Sequence, residues 1–183
     1  MKKHDELYDF DPAELTLPAF SIWEQRNLLL TAGDFSDGQY NPMTVGWGFF
    51  GVMWRRPVAV VAVRPQRHTM RLLERFDSFT LSVLPEAYRA AIAWCGSHSG
   101  ADGDKFAGAG LTPVESRRVG APSVGEAEFT VECRQLYAGQ LAGKNFHCKP
   151  IVADCYPERD FHWMIYGEIV TARGTAAYRR NEK

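Results

Sequence analysis

The chain has 183 residues, of which 45% are hydrophobic, 23% charged and 13% aromatic, and its formal net charge is −1 with the five His neutral. That length supports one domain with room for both a core and a ligand pocket. The near-zero charge offers no broad basic field to a nucleic-acid backbone, which argues against a nucleic-acid partner.

Residues 1–17 are polar, acidic and without clear period. They predict a loosely held N-terminal arm over residues 1–18, ending at Pro18, ahead of a single domain over residues 19–183. The arm has no apolar segment of the signal-peptide type, and no run approaches the roughly 18 apolar residues of a membrane span. A cytoplasmic protein with no membrane partner is therefore expected. Cys95, Cys133, Cys148 and Cys155 form no C-x-x-C pair, so they read as reduced thiols.

Residues 21–32, with Ile22, Trp23, Leu28, Leu29 and Leu30, read as entry into the first strand. Asp37 and Gly38 are a tight-turn signal between apolar runs, which predicts a hairpin. Residues 43–54 read as one strand rich in Val, Phe and Trp, whose glycines at 46, 48 and 51 leave one face bare for a close-approaching ligand. Arg55, Arg56 and Pro57 break the run, and residues 58–63 form a short apolar strand. Thr69 is placed to cap a helix carrying Met70, Leu72, Leu73 and Phe76.

Residues 79–84 alternate as a strand, and residues 86–95 form a helix started by Pro85 and ended by Gly96. Residues 97–110 read as a small, polar loop. Strands over 126–141, 151–155 and 163–171 complete the set, with a turn at Tyr156–Asp160. About seven strands joined by hairpins, with two inserted helices, favour a mainly β antiparallel barrel over a doubly wound sheet.

Three groups of residues could carry chemistry. Arg64, Arg67 and Thr69 lie between a strand end and a helix start, where free backbone N–H groups and the helix dipole favour an anion. Two guanidiniums that match phosphate oxygens would make a phosphate seat there. Asn41, Thr44 and Trp47 lie on the Gly-rich stretch just before. They could give a planar heteroaromatic its rim hydrogen bonds and its apolar floor.

Ser99 and Lys105 could close over phosphate or ribityl oxygens, with Asp104 available as a structural tie. No Walker loop and no G-x-G-x-x-G occurs. Cys95 with His98 is a weak thiol-nucleophile pair. The spacing of His147, Cys148, Cys155 and His162 fits no compact zinc pattern, so no metal is expected.

In series, several stretches resemble the flavin reductase-like, FMN-binding split-barrel proteins, flavoredoxin-like members included. They are Tyr40 to Gly48, Arg56-Pro57-Val58, Val63 to Thr69, Phe79 to Ser82, Cys95 to Gly100, Asp104-Lys105, Gly110 to Pro113, Tyr156-Pro157 with His162, and Gly167 to Ile169. The chain departs from the family pattern at His68, His147 and Trp163.

The resemblance implies a homodimeric split barrel that binds FMN, with FAD possible and NAD(P)H as electron donor. It implies cofactor contacts from Asn41, Met43, Thr44, Val45, Trp47, Arg64, Arg67, Thr69, Ser99 and Lys105, several through the backbone, and it lends His162 a place near the flavin. The activity implied is a flavin-dependent oxidoreductase of the flavin reductase type. The alternative is a non-catalytic flavin carrier that passes electrons between proteins.

Overall fold

A computed structural model describes residues 6–26 and 28–180. In chain order the strands are β1 (Tyr8–Phe10), β2 (Leu28–Asp34), β3 (Gln39–Val45), β4 (Gly48–Met53), β5 (Arg56–Val63), β6 (Ser78–Val83), β7 (Pro113–Val114), β8 (Ser123–Val124), β9 (Phe129–Gln140) and β10 (Trp163–Gly174). The α-helices are α1 (Ser21–Glu24), α2 (His68–Arg75), α3 (Arg89–Ser97), α4 (Lys105–Ala109) and α5 (Lys149–Cys155). Among the described residues no helix is long and apolar enough to cross a membrane.

The main sheet has eight strands in the order β3-β2-β6-β9-β10-β5-β4, with β1 also paired to β10. Every pairing is antiparallel. The first and last strands of that order, β3 and β4, are consecutive in the chain and separated only by Gly46 and Trp47. Two residues span at most about 7 Å, so the sheet has to curl until its edges meet without pairing. The result is the split barrel expected from the sequence.

Strand β2 shows why a run of leucines suits this place. Leu28, Leu30 and Ala32 join the main core inside the curled sheet, while Leu29 joins a second core with Ile92, Cys95, Phe106 and Leu111 under α3 and α4. Alternate residues of a strand face opposite sides, and here both sides are buried. Helix α2 closes the main core with Met70, Leu72 and Leu73. The predicted β2–β3 hairpin is present: Asp34 accepts hydrogen bonds from Ser36 N and Asp37 N, and Gly38 adopts φ 64°.

Several expectations are corrected. Residues 43–54 are two strands rather than one, and the second turns back through Trp54 and Arg55 in left-handed conformations, at φ 53° and 62°. Residues 21–24 are a helical turn that buries Ile22 and Trp23 before β2 begins. Residues 151–155 are helical, because α5 starts two residues earlier with a Pro in its first turn, a position where Pro is at home. The loop over 97–110 contains α4, whose first turn is capped by Asp104 accepting from Phe106 N at 2.8 Å.

Gly96 lies inside α3 rather than after it, since α3 runs on to Ser97. The arm is not loose from residue 8 on, where β1 pairs with the end of β10 and Phe10 is buried.

The first residue of β4 has no room for a side chain. A Cβ on Gly48 would lie 2.3 Å from the Val60 carbonyl oxygen and 2.6 Å from the Trp23 ring. Gly48→Ala should therefore destabilise the fold by roughly 1–3 kcal/mol, the range for overpacking, read as a lower urea midpoint. A stability equal to wild type would show that the β4–β5 ladder can shift to make the space.

Candidate functional site

At the seam of the sheet, where β3 gives way to β4, two cavities adjoin. The first, about 290 Å³, is lined by Met43, Thr44, Val45, Trp47, Arg64, Arg67 and His162, with Gly46 and Ala62. The second, about 190 Å³, takes in Asn41, Met43, Arg67, Thr69, Ser99 and Lys105, together with Gln66, His68, His98 and Gly100. Met43 and Arg67 are common to both. All ten residues singled out from the sequence as cofactor contacts, and His162, thus line the groove made by these two adjoining cavities.

The first cavity has an aromatic wall and a backbone edge. The rings of Trp47 and His162 lie 5.0 Å apart at 43°. Among the described residues strand β3 pairs with β2 alone, so its other edge can offer backbone N–H and C=O groups to a ligand. The Thr44 hydroxyl donates to the Ile92 carbonyl at 2.5 Å, so Thr44 can offer the cavity its main chain.

The second cavity gathers cations and hydroxyls. Arg67 donates to the Gly96 carbonyl at 2.9 Å and approaches the Met43 Sδ at 3.2 Å. Lys105 is 3% exposed and donates from Nζ to the Cys95 carbonyl at 2.5 Å. Burial pulls the Lys105 ammonium down to about 8, and the Arg67 guanidinium pushes the same way, so the group remains cationic at neutral pH.

Thr69 is not the helix cap expected from the sequence. Arg67 occupies that position with extended backbone, and the buried Thr69 hydroxyl accepts from Asn41 Nδ2 at 2.7 Å. The Ser99 hydroxyl accepts from Ala101 N at 3.1 Å. Both carbonyls that hold Arg67 and Lys105 belong to the last turn of α3, where unpaired C=O groups carry negative potential.

Arg64 is placed differently from the pairing the sequence suggested. It lines only the first cavity and forms an ion pair with Asp160, donates to the Cys155 carbonyl at 2.8 Å and lies over the Tyr156 ring. Hydrogen bonds from Gln66 and Arg64 hold the Asp160 carboxyl below the usual carboxylate range. Arg67 and Lys105, rather than Arg64 and Arg67, are the cations of the second cavity.

A family model described as flavin reductase like domain matches residues 24–180. The chain belongs to that family. An uncharacterized protein of Pyrococcus abyssi is 28% identical to this flavin reductase like domain over 142 residues, covering 76% of the chain and 78% of the relative. The structure of flavoredoxin from Desulfovibrio vulgaris superposes with a TM-score of 0.65 at 26% identity, covering 89% of this chain and 73% of that one. An FMN-binding domain of a flavin reductases-like enzyme from Shewanella baltica gives a TM-score of 0.66 at 17% identity, covering 93% of this chain and 78% of that one, a likeness of fold.

Two features of this flavin reductase like domain were missed in the sequence. Tyr156 and Asp160 read there as turn residues, yet the Tyr156 hydroxyl lies 2.9 Å from His162 Nδ1 and Asp160 neutralises Arg64. The signals available were the Tyr156-Pro157 match to the family pattern and an aromatic and an acid flanking a turn, and neither points to these contacts. The thiol-nucleophile reading of Cys95 is overturned. Its side chain is fully buried, burial pushes its pKa up, and His98 instead stacks on Trp94 at 4.1 Å.

Burial pulls the His162 imidazole down to about 4, and Arg64 pushes the same way. The ring, whose Nδ1 lies against the Tyr156 hydroxyl, is therefore neutral at ordinary pH and takes up a second proton only when the pH falls that far. The unfolded chain takes up that proton near 6.5, so it binds more protons than the folded chain between the two values. Stability is then lost as pH falls from about 6.5 towards 4. Urea unfolding at pH 7 and pH 5 should show a loss that is smaller in His162→Gln, and an equal loss in the variant would assign it to other groups.

Proposed function

We propose that this chain binds FMN in the groove and acts as a flavin-dependent oxidoreductase, passing electrons from NAD(P)H to flavin or through bound flavin to an acceptor. One observation carries the reading: the groove divides into an aromatic, backbone-edged half and a cationic half, joined at Met43 and Arg67. That is the division a flat heteroaromatic with a phosphorylated tail demands.

The residues fit the cofactor without a rearranged charge. Arg67 and Lys105 neutralise the phosphate, the Asn41–Thr69 pair holds the α2 entrance in shape, and β3 presents main-chain groups to the ring edge. Trp47 and neutral His162 cover the ring and keep water and positive charge off one side of it. Bound there, the flavin supplies the hydride-accepting chemistry, and the protein supplies position and electrostatics.

The chain as purified, or after addition of FMN and gel filtration, should retain flavin absorbance and oxidise NAD(P)H in steady state. Retained flavin without NAD(P)H oxidation would favour the carrier reading, which the likeness to flavoredoxin supports. A protein that retains no flavin sinks both. Arg67→Ala should weaken FMN by about 1.5–3 kcal/mol, the range for a lost charge-assisted hydrogen bond. Affinity for FMN should also fall as pH rises past about 8, where Lys105 loses its charge, and Lys105→Met should flatten that fall. Unchanged FMN affinity in Arg67→Ala would remove the residue from the seat.

The assembly we propose is a homodimer. Trp47, Phe49, Val52, Met53 and Trp54 are exposed along edge strand β4, Val52 at 77%, with exposed Tyr137 near them through Tyr166. An apolar, uncharged edge of this kind is a surface that soluble chains cover. Val52→Asp should shift the sedimentation coefficient towards that of a monomer, and a wild type already monomeric at micromolar concentration would overturn the assignment. The four free cysteines suit a reducing compartment, in keeping with a cytoplasmic location.

A further inference from the structure

Beyond the cationic half of the groove lies a third cavity, of about 470 Å³. It shares His68 and Gly100 with the second cavity, so the two meet at that pair. Its floor is a stripe of α2, in which His68, Arg71, Leu72 and Arg75 fall at the three- and four-residue spacing that brings side chains to one helix face. Tyr40, at the start of β3, forms the facing aromatic wall.

The charges in this cavity are not balanced among the described residues. Arg75 donates to the Gln39 side chain at 2.7 Å and lies over the Phe76 ring, but it pairs with no carboxylate among the described residues. Arg71 has neither an ion pair nor a side-chain hydrogen bond among them. The one carboxylate on the cavity's edge, Asp104, is engaged in capping α4, where it accepts from Phe106 N and Ala107 N.

At the junction, His68 Nδ1 is buried and has no hydrogen-bond partner among the described residues. Gly100 packs against the same ring so closely that a Cβ there would lie 3.0 Å from His68 Cδ2. A donor-acceptor ring therefore stands between one anion seat and two unneutralised guanidiniums.

We propose that this cavity takes the adenylate half of a flavin dinucleotide, so that the groove prefers FAD to FMN. The inference rests on the flavin reading above. In it the second phosphate passes His68 and is met by Arg71 and Arg75, while the adenine lies against Tyr40 and Leu72. Guanidiniums match a diphosphate better than an ammonium would, because each offers two parallel donors. No covalent step is involved.

The test is calorimetric titration of the full chain with FMN, FAD and NADPH separately, on wild type, Arg71→Ala and Arg71→Glu, each checked for an unchanged thermal midpoint. FAD should bind roughly tenfold more tightly than FMN to wild type, the gain expected of a charge-assisted contact. Arg71→Ala should remove most of that preference and Arg71→Glu should reverse it, with FMN affinity unchanged in both.

Equal or weaker binding of FAD in wild type overturns the proposal, as does a preference for FAD that survives Arg71→Glu. Loss of NADPH affinity alone in the variants would give the cavity to the donor's nucleotide and overturn it too. Failure of wild type to bind either flavin defeats the underlying flavin reading as well, which separates that failure from this one.

Discussion

The structure depends on a short tether. Gly46 and Trp47 are all that separates the first and last strands of the seven-strand order, so the sheet cannot lie open. Its curl is closed by the chain itself rather than by a last row of hydrogen bonds, although the Ala62 amide does donate to the Trp47 carbonyl at 3.0 Å. A seam held this way leaves one edge of β3 unpaired beside a ring of side chains. The groove is a direct product of that geometry, since the residues next to the tether are the residues that line it.

Electrostatics then give the two ends of the groove different characters from similar burial. Desolvation disfavours whichever form is charged. For His162 this yields a neutral ring at ordinary pH, and for Lys105 it lowers a much higher starting value only to about 8, leaving a cation. Arg64 stands close to the neutral end, yet its charge is matched by Asp160. Within these two cavities, unmatched positive charge therefore lies at the end with Arg67 and Lys105, away from the neutral ring.

Much of this was legible in the residues because it was local or serial. The Asp37-Gly38 turn, the α2 periodicity and the order of short strands each follow from spacing alone. The break at Gly46 and Trp47 was not legible, since those residues sit in an unbroken apolar run and only the closure of the whole sheet requires them to leave it. The helix α5 was misread because Ile151, Val152, Ala153 and Cys155 suit either state, and its length was hidden by the Pro in its first turn. For the site, residue types pointed to the right stretch, but which Arg faces which cavity was decided by Asp160, nearly a hundred positions away. No local pattern can show such a partner.

Burial of Cys95, which removed it as a nucleophile, has a further meaning for the chain's chemistry in air. Thiols react with oxidants as thiolates, and exposure governs how fast. Cys95 and Cys133 are both fully buried and both have raised pKa values, so they are shielded on both counts. Cys148, at the exposed start of α5, is where sulfenic acid formation or alkylation would begin. The two buried thiols are thus kinetically separated from Cys148 and the partly exposed Cys155, and redox damage would be registered first outside the hydrophobic interior.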